Sequence, residues 1–395
     1  MSENLPTERI YFDHSATSPL DPQVVEAMLP FYQETFGNPS SLHWAGRVAK
    51  TAMDRARMQV ADLFHASPDE ITFTASGTES DNMALVGVAE QYPPEECHLI
   101  TSSIEHPAIL ETCKSLERRG YEVSYLPVTS EGIVESSALL AELRPNTRLV
   151  SIMAANNVVG TLQPVGELAR ITRAHGALFH TDAVQAAGKI LLHMDTLNVD
   201  LLSVSAHKLH GPKGVGALYV RNGVKLEPLV YGGGQERGLR SATENVTGIV
   251  GLGKAAEIAR LSMSEEAVRL VNYRNWIVES VTETIPNAYL IGHPYKRLPG
   301  HICLGFDGQE GETIKLMLAL DENGIAVSTG SACSSHHGGQ PSYILMAMGM
   351  DPIRARGSLR ITLGRFNTED EVQRFVEILP KMVAEMRHVT SRIFA

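Results

Sequence analysis

The chain has 395 residues, 43% hydrophobic and 20% charged, the balance of a folded globular protein long enough for more than one core. Its 45 acidic and 34 basic residues leave a formal charge of −11, which argues against direct nucleic-acid binding, and no stretch approaches the roughly 20 apolar residues of a membrane span. The polar residues 1–9 carry no apolar signal core, and the four cysteines, Cys97, Cys113, Cys303 and Cys333, follow no disulfide spacing, so the expected compartment is the cytoplasm.

Along the chain, residues 11–22 lead in through Pro19 and Pro22, and helices are expected over 22–35 and 42–64, broken at Gly37-Asn38-Pro39-Ser40-Ser41. This arm is expected to be a lid or a dimer element. From Glu70 the pattern becomes strand, polar turn, helix, repeated, which specifies a mostly parallel sheet covered by helices. Strands are expected at 71–74, 98–101, 121–126, 149–153, 177–181 and 199–204. Helices follow, two ending near Ala89 and Arg118 and one opened by Pro164, where a missing N–H costs nothing. After Ser205, His207 and Lys208 the chain passes through Gly211-Pro212-Lys213-Gly214 into a further strand at 217–220. Helices at 265–284, 310–323 and 368–387 complete a smaller C-terminal part. The expected fold is α/β, with a large unit over 16–260 and a smaller α+β unit from 1–15 and 261–395 that carries a cysteine loop at about 326–341.

Five strands hand over to a chemically useful side chain: Thr78, His106, Asn157, Asp182 and Lys208. In open α/β sheets ligands bind just outside the carboxyl ends of the strands, so these five are expected around one crevice. Taken singly, each also fits a turn or a cap. Ser76-Gly77-Thr78 at a helix start offers N–H and hydroxyl donors to an anion such as a phosphate. Burial disfavours the ammonium form of a lysine at a pocket floor, and the neutral amine can form a Schiff base with an aldehyde. Asp182 suits a ring nitrogen, His106 a ring face and Gln185 a phenolic oxygen. With Ser205 and His207 beside Lys208, the set describes a pocket for pyridoxal phosphate.

The same residues carry a resemblance. Asp182-Ala183-Val184-Gln185, Ser205-Ala206-His207-Lys208 and Gly211-Pro212-Lys213-Gly214 are similar to motifs of the cysteine desulfurases, fold-type I pyridoxal-phosphate enzymes of the class-V aminotransferase kind. So are Gly37-Asn38-Pro39-Ser40-Ser41-Leu42-His43, Thr78-Glu79-Ser80-Asp81-Asn82, Glu105-His106, the run Gly232-Gly233-Gly234-Gln235-Glu236-Arg237-Gly238 and Arg240-Ser241-Ala242-Thr243-Glu244-Asn245. The likeness spans nearly the whole chain. It implies conversion of L-cysteine to L-alanine, with the sulfur taken up by Cys333 as a persulfide and passed to an acceptor such as an iron–sulfur scaffold or a sulfur carrier. It implies catalytic roles for Cys333, Lys208 and His106, and cofactor contacts from Gly77, Thr78, His106, Asn157, Asp182, Gln185, Ser205, His207 and Lys208. Arg360 and Asn157 would receive the substrate, a planar fork suiting a planar carboxylate. Thr243 would reach the phosphate of a neighbouring subunit, hence a homodimer. Cys333 lies in Ser331-Ala332-Cys333-Ser334-Ser335, ahead of Pro341, and this spacing resembles the group with the longer, flexible cysteine loop. Arg354, Arg356 and Arg365 are expected to be surface or interface charges.

Two departures from the pattern stand out. Val158 and Val159 follow the paired asparagines where the family commonly has an acid, and the cysteine loop carries His336-His337-Gly338-Gly339-Gln340. Cys333 with two histidines is a possible metal or iron–sulfur edge and equally a solvated loop. The expectation is no resident metal, with Cys333 at most a transient iron–sulfur ligand. A selenocysteine lyase or an aminotransferase on the same fold would make Cys333 dispensable, and a non-catalytic sulfur-carrier or scaffold subunit would not need Lys208, Asp182 and His106. Iron–sulfur assembly, transfer-RNA thiolation and DNA phosphorothioation all begin from the same persulfide.

Overall fold

The computed structural model describes residues 9–308, 313–330 and 340–393. In chain order the strands are β1 (Ile10–Tyr11), β2 (Ile71–Thr74), β3 (His98–Ser102), β4 (Glu122–Leu126), β5 (Thr147–Ser151), β6 (Leu178–Asp182), β7 (Leu201–Ser205) and β8 (Gly216–Val220). Then come β9 (Ala288–Leu290), β10 (His301–Phe306), β11 (Ile325–Ala326), β12 (Ser328–Thr329) and β13 (Ser358–Thr362). Seven of them form one sheet in the order β2-β8-β7-β6-β5-β3-β4. Within it β8 alone runs against its neighbours, and β7, β6, β5, β3 and β4 are mutually parallel. Both faces are covered, as a parallel sheet requires. Alternate residues serve two cores: Leu202, Val204, Ala217 and Tyr219 face one, and Leu201, Leu218 and Val220 the other.

A second sheet, β12-β13-β10-β9, is antiparallel and packs its own core from Ile302, Leu304, Leu359, Ile361 and Phe375. Residues 10–12 pack with it. Ile10 and Tyr11 pair with Ile325 and Ala326, and Phe12 packs edge-on against Phe375.

The helix expected at 265–284 begins much earlier, running unbroken over Val246–Thr284. Asn245 caps its start by accepting from the Gly248 N–H at 3.0 Å. Its first half (Ile249, Leu252, Ala255, Ala256, Ala259) lies in the core of the seven-stranded sheet, and its second half (Leu270, Ile277, Val281) in that of the smaller sheet. The boundary expected at 260/261 therefore falls inside one helix. The expected helix at 22–35 is instead two, Pro22–Met28 and Pro30–Gln33, because Pro30 supplies no N–H to continue the first. Among the described residues no helix is long and apolar enough to cross a membrane.

Candidate functional site

The carboxyl ends of the parallel strands open into a cavity of about 360 Å³. Thr78, His106, Asn157, Asp182 and Lys208 all line it, as do Gly77, Gln185, Ser205 and His207, and Arg360 enters from the smaller sheet. Every candidate named from the sequence meets here except two. Thr243 is exposed and lines a separate recess with Thr74, Gly214 and Arg240. Cys333, with His336 and His337, lies outside the described residues, and so does most of the cysteine loop.

Local chemistry explains each position. Strand β7 ends at Ser205 and tightens into a single turn over Ala206–Lys208, whose Ala206 oxygen accepts from both Leu209 and Gly211 N–H at 2.9 Å. A side chain at Gly211 would collide with that oxygen, its Cβ 2.9 Å away. Lys208 Nζ is held by two backbone oxygens of the N-terminal arm, those of Ser15 and of Ala16, the latter at 2.8 Å. His207 Nδ1 meets Thr17 Oγ1 at 3.1 Å.

The helix Gly77–Ala89 points its N-terminus at the cavity, with Ser76 capping it through Glu79 N–H at 3.1 Å. A Cβ on Gly77 would stand 2.6 Å from Val184 Cγ2, so only glycine leaves that backbone open to a ligand. His106 caps the helix Pro107–Arg118, its Nδ1 accepting from Ala108 N–H at 3.1 Å. That bond leaves the ring proton on Nε2.

Asp182 is buried, and one carboxylate oxygen accepts from Val184 N–H at 2.9 Å. Burial pushes its carboxyl above the ordinary range, and His106, the Val184 N–H and Lys208 pull it back. Burial likewise depresses His106, and it pushes His207 down to about 4. Beneath Asp182, His180 bridges Ser151 and Ser203 hydroxyls on the flanking strands at 2.8 and 2.9 Å and is held near 3 by burial, a neutral ring. Glu105 supports the floor by accepting from Ser102 Oγ (2.6 Å) and Met153 N–H (3.0 Å).

Arg360 is 2% exposed. It donates to Asp13 Oδ1 at 2.8 Å and to the Asn157 backbone oxygen at 3.0 Å, while its Nε makes no hydrogen bond. Val158 and Val159, the departures from the family pattern, turn into an apolar cluster with Ile104, Ile291 and Ile344, and their N–H groups both bond Asn156 Oδ1. Arg365 is not a surface charge: it bridges Asp21 at 2.8 Å and Glu266 at 2.6 Å, tying the arm to the long helix. Arg354 matches expectation, paired with Asp307 at the surface, and Arg356 is exposed. Cys97, Cys113 and Cys303 are buried thiols.

Sequence reasoning missed the contribution of the arm. Ser15 and Ala16 line the cavity, and Asp13 orients Arg360, yet nothing in a short Ser/Ala/Thr run announces that its carbonyls will face a lysine nearly 200 residues away. Asp81 was also passed over; it lines the cavity, fully buried, with its carboxyl raised first by burial and then by Asp182.

The residues present fit pyridoxal phosphate: an open glycine at a helix N-terminus, a lysine, a buried acid and a histidine share one cavity. Residues 10–375 match the family described as aminotransferase class-V. The cysteine desulfurase IscS of Dictyoglomus turgidum is 47% identical over 381 residues, 96% of each chain, and that of Methanosarcina thermophila 47% over 390 residues, 98% of this chain and 96% of the relative. Among solved structures a NifS-like protein superposes with a TM-score of 0.89 at 43% identity, covering 95% of this chain and all of the other.

Proposed function

The chain belongs to the class-V aminotransferase family and is a pyridoxal-phosphate-dependent cysteine desulfurase that supplies sulfur; from that premise we propose how its own residues divide the work. The observation that carries the assignment is the single cavity in which Thr78, His106, Asn157, Asp182 and Lys208 gather at the strand ends with Arg360 opposite. When bound, the cofactor supplies an electron sink for the substrate's α-carbon.

Lys208 would hold the cofactor's aldehyde carbon covalently. Its Nζ would also move protons, with the Ser15 and Ala16 oxygens as its partners when it is free of the cofactor. Ser76, Gly77 and Thr78 would hold the phosphate on their helix N-terminus, with Ser205 and His207 alongside. Asp182 would keep the ring nitrogen protonated, because a cation facing it favours the carboxylate that burial alone disfavours. His106, with its proton on Nε2, would lie on the ring face and pass a proton. Gln185 would donate to the phenolic oxygen. Arg360 would take the cysteine carboxylate beside Asn157, using donors that Asp13 and the Asn157 carbonyl leave over. A solved relative, SspA in complex with cysteine, is 35% identical with a TM-score of 0.81, covering 91% of this chain and all of the other. Cys333 as thiolate would attack the substrate sulfur; the carbon–sulfur bond breaks, a Cys333 persulfide forms, and the remaining carbon skeleton is protonated to alanine.

The same reading includes a homodimer. Thr243 is exposed beyond the cavity, and Leu42 (91% exposed), Phe36, Tyr231 and Trp44 leave large apolar surface on the flanking segments 36–44 and 231–244, which meet across one cleft. It also includes the large unit at 16–260 and the smaller one from 1–15 and 261–395, a longer cysteine loop at about 326–341, a sulfur-acceptor protein as partner, and a cytoplasmic setting.

The test is incubation with L-cysteine and a reductant, with sulfide and alanine measured for wild type, Cys333→Ala and Lys208→Ala. Both variants should lose both products, Cys333→Ala keeping the visible cofactor band and Lys208→Ala losing it. Full sulfide release by Cys333→Ala would refute the desulfurase mechanism, and a wild type without the band would refute the cofactor assignment.

A further inference from the structure

Behind the cofactor cavity lies a narrow chamber enclosed by the arm, the long helix and the smaller sheet, and it contains a second lysine. Lys189 follows Gln185 by one helical turn's spacing, and its Nζ donates to Gln185 Oε1 at 3.4 Å. Ser15 and Lys208 line both the chamber and the cofactor cavity, so they form the wall between them.

Two contacts fix the Gln185 carboxamide. An ammonium only donates and a backbone carbonyl only accepts, so Lys189 must face Oε1 and the Ser15 oxygen, at 3.0 Å, must face Nε2. One N–H of Nε2 remains for the cofactor cavity. A flipped amide would present an acceptor there instead, which repels a phenolic oxygen.

The surroundings of Lys189 are cationic. Lys208 and Arg360 oppose its charge, and together with burial, the larger effect, they bring it down to about 7. His14 on the arm, His207 and His210 beside Lys208, and His301 on β10 also face it, and burial keeps all four rings depressed and neutral. Arg365 lines the chamber too, and the one carboxylate lining it among the described residues, Glu266, is already bound to Arg365 at 2.6 Å. Among the described residues no carboxylate of the chamber is left to pair with Lys189, so below about pH 7 its charge bears on Lys208, the arrangement by which one cation favours the neutral amine of another.

We propose that Lys189 is a positioning residue for the cofactor lysine and for Gln185: from the chamber it fixes which end of the Gln185 carboxamide faces the cofactor and sets the charge environment of Lys208. This rests on the reading of Lys208 as the cofactor lysine. The test is a spectroscopic titration: wild type, Lys189→Met, Lys189→Gln and Lys189→Arg are loaded with pyridoxal phosphate, the visible band of the lysine-bound cofactor is followed against pH, and each variant's melting is recorded. Loss of the neighbouring charge should raise the midpoint by about one pH unit in Lys189→Met and Lys189→Gln, and Lys189→Arg should stay within about 0.3 of wild type. Should Lys189→Met fail to fold, Lys189→Gln, which keeps a donor toward Gln185 Oε1, still reads the charge effect. A wild type without a visible band removes the premise on Lys208 and the inference with it. A wild-type band with unmoved midpoints in folded variants overturns the inference alone.

Discussion

Replacing Arg360 by lysine keeps the charge and removes the fork. The guanidinium serves Asp13 and the Asn157 oxygen at 2.8 and 3.0 Å and still has an unbonded Nε. A lysine has one nitrogen, which cannot reach both partners and a substrate carboxylate together. The loss is one charge-assisted hydrogen bond, about 1.5–3 kcal/mol, or about 10- to 150-fold in kcat/KM for cysteine. Because a carboxylate is bound equally before and during reaction, the loss should fall mainly on KM. Alanine formation against cysteine concentration measures it, with the visible band and the melting temperature as controls. The charge facing Asp13 persists, so melting should change little. A variant with full cofactor whose kcat/KM lies within about twofold of wild type would refute the assignment, since a lost hydrogen bond to a charged group costs about 1.5 kcal/mol or more. A fall in kcat alone would move Arg360 from docking to chemistry.

Glu105 is pushed up to about 8, chiefly by burial. The folded chain then holds a proton that the unfolded chain releases near 4.5, so this group's contribution is complete below about 4.5 and lost as pH rises through about 8. Glu105→Gln should therefore gain melting temperature relative to wild type between pH 5 and pH 9, on the order of a few degrees; parallel melting curves across that range would refute the shift. Arg57 and Glu236 form a two-point ion pair at 2.6 and 2.8 Å that is almost wholly buried, so Arg57→Met should cost about 3–5 kcal/mol in denaturant unfolding. Adding Glu236→Gln should recover part of it by removing the stranded carboxylate, whereas simple additivity would show that the pair is not coupled. Gly77→Ala places a methyl 2.6 Å from Val184 Cγ2 and should weaken cofactor binding by about tenfold or more, read by titration with pyridoxal phosphate. Val184→Ala in the same chain should restore some affinity; if it does not, crowding at Gly77 is not the cause.

The large sheet was legible because its strands are continuous apolar runs ended by polar turns, a local signal that survives burial on both faces. The gathering of Thr78, His106, Asn157, Asp182 and Lys208 followed from the same signal, since parallel strands share one carboxyl end. What escaped was non-local. Helix Val246–Thr284 was cut short in the sequence reading because its first half is glycine- and alanine-rich, as close packing against the helix Trp44–Phe64 demands, and does not look amphipathic. Arg365 was read as a surface or interface charge because its acidic partners, Asp21 and Glu266, are remote in sequence. The same holds for Asp13 and Arg360, 347 positions apart.

The arm sets an order of events during synthesis. Residues 10–13 are made about 300 residues before their partners Ile325, Ala326 and Thr362, and closing so long a loop is slow compared with forming the sheet between. Ser15 and Ala16, whose oxygens hold Lys208, ride on that arm. A truncated nascent chain can thus own the lysine, the acid and the phosphate cradle and still lack a wall of the pocket.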